Sequence, residues 1–208
     1  MSILDDFISS LGAVPESDLE KVLSLILAKA RRHTAAEAGS IFIVRPVDGE
    51  PKELRSCSLQ NDRISVANEV FSIPINKLSL AGYVAETGEI VEVEDLYDLP
   101  HEVSFKFNRA FDDREGYRSQ SMLAFPLKNF NGKVIGVVQL LNHIDHLDGQ
   151  GNPLYAPFSM EHVDDMKSVM TVLGVMVERV ALMRKIERLQ TELDAYKEGT
   201  SETEEASA

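Results

Sequence analysis

The spacing of apolar and polar residues divides this chain into a helical start, a strand-rich middle and a long helical end. One predicted helix begins at the capping-box phrase "SDLE" (residues 17–20) and runs to about His33. Its apolar face is formed by Leu19, Val22, Leu23, Ile26 and Ala30. Residues 1–16 also carry apolar residues at helical spacing, which predicts a short N-terminal helical segment.

From Gly39 onward the apolar period becomes that of strands. Six short runs bounded by turn residues predict six strands: "SIFIV", "ELRSCSL", "EVFSIPI", "EIVEV", "SMLAFPLKN" and "KVIGVVQLLN". Asn131-Gly132 joins the last two as a tight hairpin. Between the third and fourth runs, "SLAGYVAETGE" predicts a helix that begins near Ser79 and ends at Gly88. The order of these elements predicts an α+β domain built on an antiparallel sheet.

The last predicted helix, residues 159–197, carries two apolar stripes. Leu173, Met176, Val180 and Met183 form the first stripe; Val172, Val175, Leu182, Ile186, Leu189, Leu193 and Tyr196 form the second. We expect the first to pack on the sheet and the second, interrupted only by Arg179, to pair with another copy of the helix. The alternative is a single amphipathic helix that frays into solvent.

These patterns predict four consecutive segments. The expected division is an N-terminal helical segment at 1–16, a globular domain at 17–183, a coiled-coil extension at 184–198 and a disordered acidic tail at 199–208. Residues 95–118, inside the globular domain, show little periodicity, and a connection of that length is usually functional or disordered.

Composition excludes several classes of partner. The net charge of −13 argues against nucleic acid and against anionic lipid surfaces. The chain has no apolar run of the roughly 20 residues that span a bilayer, and its first residues lack the positive charge of a secretory signal. Cys57 is the only cysteine, which rules out an internal disulfide. We expect a cytoplasmic protein that binds neither nucleic acid nor membrane.

Four phrases in register resemble a known family. "AEAGSIFIV", "SLAGYVAETGE", "FDDREGYRSQSMLAFPLKN" and "GKVIGVVQLLN" are similar to GAF domains, above all to the regulatory GAF domains of cyclic-nucleotide phosphodiesterases and adenylyl cyclases. The resemblance covers roughly residues 17–183. It implies a six-stranded antiparallel sheet with the terminal helices on one face and a small-molecule pocket on the other. It also implies a homodimer that signals along a helical coiled coil.

The resemblance also implies the positions that bind a ligand. Ser40 stands where a strand serine meets the base of a cyclic nucleotide, and Gln139 replaces an acid on the last strand. Backbone groups around Gly82 would hold the ligand, as would Asp112 in the long connection and Ser119, which directly follows it. The complete implied set is Ser40, Leu80, Ala81, Gly82, Asn108, Asp112, Glu115, Ser119 and Gln139.

Two departures separate this chain from the cyclic-nucleotide-binding members. Glu115 replaces a threonine near the cyclic phosphate, and a carboxylate beside a phosphate is repulsive. Asn142 and Phe158 of the family's dispersed motif are kept, but its lysine is His143 and its aspartate is His162. The lysine–aspartate ion pair of the family therefore cannot form here. A cyclic nucleotide remains one candidate ligand with an incomplete signature.

The histidine-rich phrase "LLNHIDHLDGQGNPLYAPFSMEHV" admits three interpretations. If His143 and His162 replace a contacting pair, they lie close together and could share a divalent metal. They could instead form a pH-sensitive strut, because protonating both would set like charges against each other. We favour a third interpretation, a surface loop anchored by Asn142 and Phe158, in which His146 and the other histidines are ordinary polar residues.

Three function classes follow: a small-ligand sensor, a ligand-free dimerisation and protein-interaction module, and an enzyme. Asp112, Asp113 and Glu115 lack an accompanying nucleophile or metal cluster. GAF-fold methionine sulfoxide reductases need several cysteines, and this chain has Cys57 alone. We therefore expect a sensor with no catalytic residues, metal or cofactor. A separate output protein would receive its signal, unless the chain is a piece of a longer one.

Overall fold

The structure, a computed structural model, describes residues 3–11, 19–47, 50–66 and 69–205. The predicted capping residue Ser17 lies outside these ranges. The elements in chain order are α1 (Ile3–Leu11), α2 (Leu19–His33), β1 (Ala36–Val47), β2 (Glu50–Asn61), β3 (Ser72–Pro74), α3 (Leu80–Thr87), β4 (Val91–Val93), α4 (Ala110–Glu115), β5 (Met122–Lys128), β6 (Val134–Leu147), β7 (Pro153–Ala156) and α5 (Met160–Glu205).

The sheet is antiparallel, and its main path runs β3-β2-β1-β6-β5-β4. These six strands are the six that the sequence predicts, and the α+β class is confirmed. Sequence reasoning missed β7, which pairs with β6 as a seventh strand. The strand begins at Pro153, the last residue of the turn-rich "DGQGNP", so the sequence around its start has the composition of a loop. At the centre of the sheet, β1 pairs with β6 and sets Ser40 opposite Gln139.

Side-chain alternation along the strands separates two apolar layers. On β5, Leu123, Phe125 and Leu127 point to one face, and Met122 and Ala124 point to the other. The first face joins Leu23, Ile26 and Leu27 of α2 and Met166, Met170 and Leu173 of α5 in one buried cluster, with Phe7 of α1. The expectation that the terminal helices pack on one face is thereby confirmed.

Helix α5 lies very close to the end of β5. A Cβ atom added to Gly174 would be 2.2 Å from the carbonyl oxygen of Lys128 and 3.0 Å from its amide nitrogen. Only a residue without a side chain allows this approach. Gly174 therefore fixes how closely the long helix packs on the sheet.

The two apolar stripes of α5 have different environments. Leu173 and Val180 of the first stripe are buried, whereas Met183 at its end is 42% exposed. Five of the seven residues of the second stripe are about half exposed, namely Val175, Leu182, Ile186, Leu189 and Leu193. Tyr196 is more exposed still. The helical backbone continues over residues 199–205, where the sequence predicts a disordered tail. Within the described ranges, every helix is too short or too polar to span a membrane.

The caps of α3 are those that the sequence predicts. The Ser79 hydroxyl oxygen accepts from Gly82 N at 3.0 Å, and Gly88, with a φ of 69°, donates its N–H to Val84 O. The connection at 95–118 contains a helix that sequence reasoning missed, α4, which ends at Gly116 with a φ of 61°. Six residues are too few to show a helical period.

Candidate functional site

The face of the sheet opposite the terminal helices is covered by α3 and the long connection. Leu80 and Val84 of α3 and Leu96 and Phe105 of the connection are buried against strand residues such as Phe42. The rings of Tyr83 and Phe105 lie 5.3 Å apart between centroids. The face of the sheet on which the resemblance implies a ligand pocket is thus an apolar layer, covered by side chains of α3 and the connection.

Ser40 and Gln139 form a polar pair within this apolar layer. They are 6% and 8% exposed, and the Ser40 hydroxyl donates to Gln139 Oε1 at 3.3 Å. Gln139 Nε2 lies 3.4 Å from the sulfur of Met122, a weak acceptor. An amide that has only weak partners for its N–H groups can offer them to a ligand.

The predicted backbone positions at the start of α3 are buried beside this layer. Leu80, Ala81 and Gly82 are all inaccessible, and a Cβ on Gly82 would lie 2.4 Å from Asn76 O and 2.6 Å from Pro74 O. Glycine is required at 82 because the helix start presses against the segment that follows β3.

Asp112 and Ser119 lie close together, as the resemblance implies. Their side chains, which the resemblance assigns to a ligand, hydrogen-bond to each other. Asp112 is 3% exposed and accepts from Ser119 N at 2.7 Å, Ser119 Oγ at 2.9 Å and the Tyr97 hydroxyl at 2.9 Å. Burial and the bond to Asp112 raise the pKa of Tyr97, whose ring also lies under the guanidinium groups of Arg109 and Arg118. These contacts hold the connection closed on itself.

Asn108 and Glu115 occupy the outer part of the connection. Asn108 is exposed, and its side-chain oxygen accepts from Ala110 N at 3.0 Å. Glu115 is half-buried and accepts from Arg114 Nε at 2.6 Å, and Arg114 also pairs with Glu69 at 2.9 Å. Glu115, which the resemblance sets near a cyclic phosphate, therefore shares one guanidinium with Glu69, and its charge is only partly offset.

A buried carboxylate that sequence reasoning missed lies at the edge of this region. Glu37 of β1 is 1% exposed, and its Oε1 accepts from the Tyr117 hydroxyl at 2.8 Å and from Asn142 Nδ2 at 3.2 Å. Its Oε2 accepts from the Tyr155 hydroxyl. Glu37 thus joins the connection, through Tyr117, to β6 and β7. The sequence feature that could have indicated this buried carboxylate is an acid between two alanines in an apolar strand.

Asn142 extends the network around Glu37. It is fully buried with a φ of 57°, and its side-chain oxygen accepts from Gln120 N at 2.6 Å. Its amide nitrogen also lies 2.9 Å from Arg118 O. Burial and the bond to Glu37 raise the pKa of Tyr117, whose hydroxyl donates to Glu37 and accepts from Asn142 Nδ2 at 2.9 Å. The motif asparagine therefore holds the end of the connection against the sheet.

The expected contact between His143 and His162 is present. Their ring centroids lie 4.8 Å apart in an edge-on arrangement, with Phe158 beside both. His143 Nδ1 is 2.8 Å from the Thr34 carbonyl oxygen, which can only accept, so Nδ1 donates. Sequence reasoning missed His33, which bonds to Asp165 on the same end of α5 at 2.7 Å.

The surface-loop interpretation of this phrase needs one correction. Asn142 and Phe158 are buried anchors, as expected, but the segment between them is the β6–β7 hairpin. His146 lies apart on that hairpin, exposed and paired with Asp145 at 2.7 Å. Among the described residues, no group of three or more His, Cys, Asp or Glu side chains could hold a metal ion. The metal interpretation therefore gains no support there.

We expect His162 to make stability depend on pH. Burial, then the neighbouring His143 and His33, lower the pKa of His162 below its usual value of 6.5. The unfolded chain therefore binds this proton more readily, and stability is full above about pH 6.5 and falls as the pH drops through the folded pKa. Between pH 7.5 and 5.5, the melting temperature of the wild type should fall more than that of His162→Gln. The exposed His146→Gln serves as control and should keep the wild-type dependence; equal slopes in all three would contradict the expectation.

Comparison with known proteins identifies the family to which this architecture belongs. The sequence model of the GAF domain matches residues 18–177, most of the chain. The chain belongs to the GAF domain family. GAF domains are known as ligand-binding regulatory and sensory modules. Dual 3′,5′-cyclic-AMP and -GMP phosphodiesterase 11 of Drosophila melanogaster is 30% identical in an alignment of 126 residues that covers 53% of this chain and 8% of that protein. The similarity therefore concerns a small part of the phosphodiesterase.

Solved structures show the same fold at low identity. The GAF domain of a phosphoenolpyruvate-protein phosphotransferase from Coxiella burnetii superposes with a TM-score of 0.66 at 19% identity, covering 88% of this chain and 95% of that one. A type II free methionine-R-sulfoxide reductase from Thermoplasma acidophilum has a TM-score of 0.56 at 13% identity, with 79% and 96% covered. At these identities the likeness concerns the GAF fold alone.

Proposed function

We propose that this GAF domain is a dimeric sensor that binds a small molecule between the sheet and the cover formed by α3 and the connection. The observation that carries this proposal is the pair Ser40 and Gln139, two nearly buried polar side chains in an otherwise apolar layer. Polar groups in such positions normally have good partners, and those of Gln139 are weak. A few such groups in an apolar site orient a ligand.

A cyclic nucleotide is the first candidate ligand. Serine and glutamine side chains can bond to the edge of a purine, and a curated relative is named for its action on cyclic AMP and cyclic GMP. Arg114 offsets the charge of Glu115, which removes part of the objection raised by the sequence.

Thermal melting with each cyclic nucleotide tests the ligand. A nucleotide at about 100 times its dissociation constant adds roughly 2.7 kcal/mol to the free energy of unfolding, equivalent to several degrees in melting temperature. The rise should disappear in Gln139→Leu and persist in Gln60→Leu, where the replaced glutamine lies on β2. Absence of any shift with cyclic AMP and cyclic GMP in the wild type would contradict the cyclic-nucleotide proposal.

The exposed stripe of α5 supports dimerisation through a coiled coil. Val172, Arg179, Ile186 and Leu193 recur every seven residues, as do Val175, Leu182, Leu189 and Tyr196, and the two series are three residues apart. They therefore fit the a and d positions of a heptad repeat. Ile at an a position and Leu at d positions favour a parallel two-stranded coil, and a polar a residue such as Arg179 sets its register.

Charge placed in the seam should weaken the dimer. Ile186→Glu would put a carboxylate at an a position, and we expect the dissociation constant to rise at least about tenfold, equivalent to roughly 1.4 kcal/mol. Arg184→Glu, two residues away on the outer face of the coil, should leave it nearly unchanged. Sedimentation velocity over a range of protein concentrations measures both. A monomeric wild type, or equal weakening by both substitutions, would contradict the dimer proposal.

A second candidate function is that of a ligand-free interaction module. The specific observation in its favour is that Asp112 and Ser119, two implied ligand residues, bond to each other and to Tyr97. In that case the dimer would form without any small molecule, and the surface of the domain would bind a separate output protein. Dimerisation that survives in Gln139→Leu, with no melting shift for any nucleotide tested, would favour this function.

A further inference from the structure

The turn between β5 and β6 presents a large apolar side chain at a fixed position. Phe130 is 86% exposed. Its turn is held by Asn129, whose side-chain oxygen accepts from Asn131 N at 3.1 Å and Lys133 N at 2.9 Å. Phe130 N donates to Glu178 Oε2 of α5 at 2.8 Å. The backbone that carries the exposed ring is therefore anchored beside the long helix, and burial of the ring by a partner would be favourable.

A groove separates this turn from α5. It has a volume of about 940 Å³, and its walls include Ile90, Phe130, Thr171 and Val175. Val175 is 46% exposed and is also the first surface residue of the heptad seam. Thr171 lies on the same side of the helix, about 40° from Val175. The groove therefore adjoins the heptad seam at Val175.

The heptad register identifies what would meet Phe130. With Arg179 at a and Leu182 at d, Glu178 is a g residue and Met183 is an e residue. In a parallel coil the g side of one helix faces the e side of its partner, and five residues separate the facing positions. Glu178 therefore faces Met183 of the second copy, and Met183 is 42% exposed in the single chain.

We propose that Phe130 packs against Met183 of a second copy of this chain, so that the β5–β6 turn of each domain is part of the dimer interface. This inference rests on the dimer proposed above. Within one chain the contact is out of reach, because Met183 lies about 140° around the helix from Glu178. A thioether against an aromatic ring is a favourable contact, and the flexible methionine side chain can adapt to the irregular wall of the groove.

Cysteine cross-linking of the full chain tests the contact. Cys57→Ser removes the single native thiol. In that background, Phe130→Cys with Met183→Cys should yield a covalent dimer on mild oxidation or with a short bis-maleimide. Phe130→Cys with Arg184→Cys is the matched control, because Arg184 is the next residue and lies on the outer face. We expect little cross-linking there, or with either cysteine alone.

The outcomes separate this inference from the dimer itself. Covalent dimer from the Met183 pair but not from the Arg184 pair supports the contact. A dimer in sedimentation without that cross-link overturns the contact and leaves the dimer in place, whereas a monomer overturns both. Independently, Phe130→Ala should raise the dissociation constant about fivefold or more, whereas Leu78→Ala, at another exposed apolar residue, should not. Equal dissociation constants for Phe130→Ala and the wild type would also overturn the contact.

Discussion

Replacing Glu37 with alanine is expected to lower the free energy of unfolding by about 3 kcal/mol, because the hydroxyls of Tyr117 and Tyr155 lose their acceptor. Tyr117, Tyr155 and Asn142 all donate to this carboxylate, and Asn142 is fully buried. Asn142 Nδ2 keeps the carbonyl oxygen of Arg118 as an acceptor, so the loss falls mainly on the two tyrosine hydroxyls. Urea denaturation at one fixed protein concentration, followed by circular dichroism, measures the change.

Two control variants make this prediction specific to the network. Glu37→Gln keeps the shape and one acceptor oxygen, so we expect a smaller loss than in Glu37→Ala. Glu94→Ala removes an exposed carboxylate and should change the free energy of unfolding by no more than about 0.5 kcal/mol. If Glu37→Ala loses less than about 1 kcal/mol, the network is not a main source of stability.

Gly174→Ala should destabilise the domain by about 3 kcal/mol, although alanine is the better helix former by about 1 kcal/mol. The new methyl carbon would meet backbone atoms of Lys128, the nearest at 2.2 Å. Backbone cannot rotate away as a side chain can, so α5 or the end of β5 has to move. Thermal unfolding followed by circular dichroism would show this as a fall of many degrees in melting temperature.

Gly149→Ala is the matched control for Gly174→Ala. A Cβ at Gly149, in the β6–β7 turn, meets no atom within 4 Å. The same chemical change should there be neutral or slightly stabilising, because alanine restricts the unfolded chain. Similar melting temperatures for the two variants would show that α5 can shift away from the sheet at little cost.

Local signals predicted the main elements of this fold because they act over a few residues. The six strands of the main path are bounded by turn residues, and Ser79 and Gly88 mark the ends of α3. Elements that depend on distant partners were missed. Strand β7 has four residues and is defined by its pairing with β6, and the six-residue helix α4 includes Asp112, whose carboxylate bonds to Ser119 beyond the helix.

The candidate site was only partly predictable for a similar reason. Resemblance to a family identified Ser40 and Gln139, which the sheet places side by side. It could not show that Asp112 and Ser119 bond to each other, because that depends on how the connection folds. Glu37 has no local pattern that marks it as a hub, since its partners Tyr117 and Tyr155 lie 80 and 118 residues further along the chain.

The pairing of β1 with β6 has a consequence for how the domain folds. Ser40 and Gln139 are 99 residues apart, so the two central strands can join only after a very long loop has closed. The chain loses conformational entropy when such a loop closes, before the contacts between the two strands can stabilise it. Folding rates therefore fall as the proportion of such distant contacts increases. During synthesis, α2 and the β1–β2 hairpin leave the ribosome well before β6. Their apolar surfaces stay exposed to solvent until β6 is synthesised. In that interval the nascent chain can aggregate or be bound by chaperones.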